Sequence, residues 1–166
     1  MDIASVTTVV ASAGVLVGVI FAYLEVRSLV RTRQTELVIG LYSQVTSKEW
    51  EEAYTKVLTT EFKDYDDFAD KYGSLISSKP IPMALDRVCR FYEQLGILLH
   101  KKLIDIDLVY NLFSVTRPWT KVKPMVEGVR KQLSQPSLYE WFEYLYNEVQ
   151  RKDMQAHAPQ SQVSLQ

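Results

Sequence analysis

Cysteine is nearly missing from this sequence: Cys89 stands alone among 166 residues. One thiol cannot close an intramolecular disulfide, which excludes a small stapled secreted scaffold. An excess of either charge is missing too, with 19 Lys and Arg against 20 Asp and Glu. Such a balance gives no broad basic field of the kind a phosphate backbone attracts, so no nucleic-acid partner is expected. The two histidines, His100 and His157, lie far apart, and a metal centre built on His and Cys is not expected. The phosphate-cradling patterns GxGxxG and GxxxxGK[ST] and the GxSxG nucleophile elbow are all absent, and no cofactor is expected. No segment sustains a period-two alternation with hairpin turns, which leaves an all-α chain.

What is present begins at the N-terminus. From Ile3 to Leu24 there is no charged residue. At about 1.5 Å per residue, ~22 residues form a helix slightly longer than a ~30 Å hydrocarbon core. A buried helix of a soluble domain and a cleaved signal peptide are the competing readings. The first is disfavoured by the length of the run. The second is disfavoured because Met1-Asp2 supplies no basic side chain and the run continues past the small residues Ala11-Ser12-Ala13. An uncleaved transmembrane anchor over 1–24 is therefore expected. Arg27, Arg31 and Arg33 follow the run and only Asp2 precedes it, which orients the N-terminus outside and the body in the cytoplasm of a cell-membrane protein. Gly14-Val-Leu-Val-Gly18 has the spacing at which two membrane helices pack closely, making Gly14 and Gly18 candidates for association with a second copy.

No break follows Leu24, and apolar residues at Val26, Leu29, Val30, Leu37, Leu41 and Val45 carry the helix on as a stalk over 25–45. A bundle domain follows over 46–152, so that the body holds five or six helices. Thr46-Ser-Lys-Glu49 has capping-box spacing and should open a helix running to about Phe62. Asp64 should cap a short helix, Tyr65 to Tyr72, closed by Gly73. The longest body helix is expected from Pro82 to Lys102, and Asp105 or Asp107 should cap another through Phe113. Pro118 should start a further helix with Val122, Val126, Val129 and Leu133 as its apolar row, kinked or divided at Pro124. Pro136-Ser137 should open the last helix, through Arg151, with a disordered tail over 153–166.

Chemistry-bearing groups are few. Asp86, Arg90, Glu93 and His100 share a stripe of the longest helix at spacings of four, three and seven. That stripe is either a polar pocket with Glu93 or His100 as acid or base, a set of surface ion pairs, or a partly buried register device between helices. Cys89 reads as a small core residue. Asp64, Asp66, Asp67 and Asp70 lack the glycine and terminal glutamate of a calcium loop. In the run from Tyr139 to Tyr146, helical spacing makes Leu138, Trp141, Phe142 and Leu145 core.

The segment Arg87-Val-Cys-Arg-Phe-Tyr-Glu-Gln-Leu-Gly96, with Leu98-Leu-His-Lys-Lys-Leu-Ile-Asp105 and Asp107-Leu-Val-Tyr-Asn-Leu-Phe113 after it, resembles a family of uncharacterised prokaryotic membrane-anchored proteins classed as a domain of unknown function. Trp119, Lys121, Pro124 and Tyr139-Glu-Trp-Phe-Glu-Tyr-Leu145 extend the resemblance over most of the chain. It implies an N-terminal membrane helix before a helical domain and brings no activity with it. The expectation is thus a single-pass protein whose partners are the bilayer and another protein or a second copy. It would act as an interaction or regulatory module, with an enzyme built on the polar stripe as the alternative.

Overall fold

The computed structural model describes residues 3–157, with side chains described from Gly14 onward. Among the described residues there are seven helices and no strand: α1 (Ile3–Val45), α2 (Lys48–Thr59), α3 (Tyr65–Tyr72), α4 (Pro80–His100), α5 (Ile106–Leu112), α6 (Thr116–Gln132) and α7 (Glu140–Ala156). The chain divides into two compact units, Met1–Gly40 and Leu41–Gln166. Within the first, α1 continues without interruption past Leu24, as the unbroken pattern of the sequence required. Among the described residues no helix is long and apolar enough to cross a membrane.

In the second unit α4 is the central element, packing chiefly against α7 and α2, while α6 receives α3 and α7. Leu85, Val88, Cys89, Tyr92, Leu95 and Leu99 recur at the three- and four-residue spacing of one helix face and are all buried. The expected row on α6 is buried at Val122, Val126 and Val129, but Leu133 lies past the helix end and is 45% exposed. Phe142 and Leu145 of α7 are fully buried, as their spacing implied, whereas Trp141 and Leu138, which precedes the helix, are only half-buried.

Several boundaries differ from the sequence reading. The cap of α2 is Ser47, whose hydroxyl accepts from the Trp50 amide at 3.2 Å, while the Thr46 hydroxyl turns back to the carbonyls of Tyr42 and Ser43. That helix stops at Thr59, where the Thr60 hydroxyl and amide both bond the Lys56 carbonyl. Asp64 and Asp105 cap α3 and α5 as read. Pro124 does not divide α6, which passes through it from Thr116 to Gln132. The last helix opens at Glu140 rather than beside Pro136, and extends to Ala156. The first four residues assigned to the tail are thus helical, and 158–166 lie outside the described residues.

Two helix pairs approach so closely that only glycine fits. A Cβ at Gly96 of α4 would fall within the backbone carbonyl of Trp141 on α7, and one at Gly128 of α6 would stand 2.5 Å from the Tyr65 Cβ on α3. Overpacking against backbone cannot be relieved by a side-chain rotation. Gly96→Ala should therefore lower the unfolding free energy by about 1–3 kcal/mol, read by urea denaturation of the full-length chain.

Candidate functional site

The polar stripe of α4 is divided among three environments. Asp86 and Arg90 stay together: the Arg90 Nε donates to Asp86 Oδ2 at 2.7 Å, which raises the affinity of the guanidinium for its proton. The other oxygen, Oδ1, accepts the Tyr139 hydroxyl at 2.8 Å. Tyr139 is buried, and it holds a left-handed backbone (φ 56°) at the residue preceding α7. Burial pushes its phenol strongly upward, so it is a donor and never a phenolate here.

Glu93 does something else. A helix start leaves backbone N–H groups without partners, and Tyr139, its side chain committed to Asp86, offers α7 no cap. The Glu93 carboxylate supplies it from α4: Oε2 accepts the Phe142 amide at 2.8 Å, and the Trp141 amide donates to it as well. Burial raises the Glu93 pKa; the two amides and Arg130 oppose that shift, and Glu140 adds to it. His100, seven residues on, lies against Trp141 and Tyr144, with ring centroids 4.5 Å and 5.5 Å away. The stripe therefore brings no acid–base pair together. Its intermediate reading, with Arg90 and Glu93 partly buried and fixing one helix against another, describes Glu93 but not Arg90, whose side chain is 75% exposed.

Arg130 was not singled out by any local pattern, yet it holds the turn before α7. Its Nε donates to the Leu138 carbonyl at 2.8 Å and Nη1 to Glu143 Oε2 at 2.7 Å, with the side chain only 16% exposed. Cys89 is completely buried, and burial first, then the Asp86 and Glu93 carboxylates, push its thiol well up; it is no nucleophile. Asp64 is spent on its cap, and Asp67 pairs with Lys71 at 2.9 Å. Among the described residues no three His, Cys, Asp or Glu side chains gather as metal ligands.

Around the Asp86–Arg90 pair lies an open groove of about 560 Å³. Exposed apolar side chains, Ile76 86%, Met83 54% and Leu133 45% exposed, share its lining with Ser77, Ser78, Gln135 and Tyr139. Asp86 and Arg90 are legible as a pair, and Met83 lies one turn before them on α4; Leu133 and Tyr139 join them only through tertiary packing. On α1, Arg27, Arg31 and Arg33 are exposed, and nothing lies within 4 Å of where a Cβ would stand at Gly14 or Gly18.

A family model described as Domain of unknown function (DUF4760) matches residues 12–149. No curated protein and no solved structure matches the chain.

The cap has two measurable consequences. Glu93→Ala should cost about 1–2 kcal/mol, and Glu93→Gln, which keeps an acceptor oxygen, less. Because the folded-state pKa of Glu93 is raised, the folded state holds its proton more tightly, so this group's contribution is full below the ordinary glutamate range and is lost as pH rises through the raised value. Urea titrations across that window should show this decline in the parent chain and a flatter profile in Glu93→Gln.

Proposed function

The chain belongs to the DUF4760 family, and we propose that it is a single-pass protein of a prokaryotic cell membrane whose helical domain works on the cytoplasmic face as a non-enzymatic interaction module. The observation that carries the anchor is the state of α1. Val15, Leu16, Val17, Val19, Ile20 and Phe21 are each 51–67% exposed. At 100° per residue these positions cover about 240° of the helix, and Gly14, Gly18 and Ala22 occupy the remaining arc, leaving no polar side to face water. Each such side chain gains roughly 1.5–3 kcal/mol when removed from water, and a bilayer covers all sides at once. Side chains are described only for the second half of the uncharged run, from Gly14; the proposed span is the whole run from Ile3 to Leu24.

Support for a non-enzymatic role comes from how the polar groups are used. The Asp86 oxygens are taken by Arg90 and Tyr139, Glu93 by backbone amides, and the Cys89 thiol is buried and protonated. The groove at Met83, Ile76 and Leu133 is the surface for a protein partner, its exposed apolar side chains giving affinity and the Asp86–Arg90 pair giving orientation. Gly14 and Gly18 leave α1 open to a second copy in the membrane.

Topology is tested by a single cysteine placed in the C-terminal tail of a Cys89→Ser chain. A membrane-impermeant maleimide should leave intact cells unlabelled and label them after permeabilisation, and the protein should stay with the membrane through alkaline extraction. Labelling of intact cells would reverse the orientation, and release by alkali would remove the anchor.

A further inference from the structure

Met83 is 54% exposed and lines two grooves: the one over the Asp86–Arg90 pair, and a second of about 330 Å³ between α2 and α4. The floor of the second groove is made of small residues, Ala53 of α2 and Ala84 of α4, each 6% exposed. Small side chains facing each other across two helices leave a hole. A flexible, exposed thioether is the kind of knob that fills irregular gaps. Knob and hole lie here on one face of one chain.

The charges of this face are divided between its walls. Glu49 and Glu52 line the α2 side and Arg87 the α4 side, with Arg90 one turn beyond Arg87. Lys56, two turns past Glu49, is the exception on the acidic wall. All five are exposed. Among the described residues Glu49, Glu52, Lys56 and Arg87 take part in no ion pair. The Arg87 Nη1 reaches only the Glu49 backbone carbonyl, at 3.5 Å, which sets these two residues level across the groove.

An acidic wall and a basic wall on either side of a line are matched to themselves by a two-fold axis along that line. The rotation lays the acidic wall of one copy over the basic wall of the other. A partner of one uniform charge would meet like charge on one wall. We infer that the α2–α4 groove is the docking face for a second copy of this chain. Each Met83 enters the Ala53–Ala84 groove of the other copy, and Arg87 pairs with Glu49 and Glu52 across the axis. This rests on the reading of the bundle as an interaction module and supplies the partner for this face. Attachment of both copies to one membrane raises their effective concentration, so a small face suffices.

The test is sedimentation equilibrium of the full-length chain in density-matched maltoside micelles. Self-association should persist in a Gly14→Leu, Gly18→Leu chain, which removes the close approach through α1. In that background Arg87→Glu should weaken it by about tenfold or more, since like charges then face each other. Glu49→Arg with Glu52→Arg should do the same. Mixing these two reversed chains should restore association, as should all three changes in one chain. Met83→Ala should weaken it by about fivefold. Every substituted position on the bundle is exposed, so the circular dichroism should not change. A monomeric parent chain, charge reversals without effect, or reversed chains that stay apart when mixed would each overturn the proposal. Association lost with Gly14→Leu and Gly18→Leu but indifferent to the reversals would move the second copy to α1 and overturn the α2–α4 face. A monomer that still resists alkaline extraction would remove the second copy alone, whereas release by alkali would remove the anchored module itself.

Discussion

Helix α7 cannot begin alone. The residue before it is Tyr139 in a left-handed conformation, its side chain bonded to Asp86, and the amides of its first turn find their acceptor on α4. Glu93 and Gly96 lie three residues apart, on one face of α4. Gly96 admits the Trp141 backbone to a distance no other residue would allow, and Glu93 receives the amides that arrive there. Stacking of Tyr92 on Phe142 and the Arg130 bonds to Leu138 and Glu143 then fix the angle of entry. The run Phe91-Tyr-Glu-Gln-Leu-Gly96 is thus one docking device: rings to stack, a carboxylate to cap and a gap for backbone.

This use of α4 decides what the domain has left over for function. A half-buried carboxylate in a stripe with a histidine resembles the start of an acid–base site. Here burial and a structural task account for Glu93, and the His100 ring is spent on Trp141 and Tyr144. What remains on the surface of the bundle is a groove of apolar and polar side chains over the Asp86–Arg90 pair and a recess beside Trp50 and Tyr54. On α1, a stretch of exposed apolar side chains is followed by the exposed Arg27, Arg31 and Arg33. The proposed role as a tethered interaction module brings these features together.

Features set within one or two helical turns could be read from the sequence. The buried faces of α4, α6 and α7, the caps at Asp64 and Asp105, and the uninterrupted course of α1 all follow from spacing and local chemistry. Thr46 and Ser47 both carry a capping hydroxyl, and which one faces the first turn is set by where α1 lets go. Pro124 removes one amide, but its neighbours Val122, Met125 and Val126 are all completely buried, and that packing keeps α6 whole. The start of α7 was misread for a different reason: Pro136-Ser137 is a sound local signal, but the cap comes from a residue far away in sequence. The stripe of α4 was real as a periodicity. Its meaning is not, because Asp86, Glu93 and His100 each take a partner outside α4, namely Tyr139, Phe142 and Trp141, and only Arg90 is paired within the helix.

Amide hydrogen exchange at Trp141 and Phe142 is the most direct test of the capping role from which the rest follows. If the Glu93 carboxylate holds these two amides, Glu93→Ala should speed their exchange by about 5–30-fold while the interior amides of α7 and α6 change much less. Unchanged protection of Trp141 and Phe142 in that variant would contradict the account, and would return Glu93 to the set of groups available for chemistry.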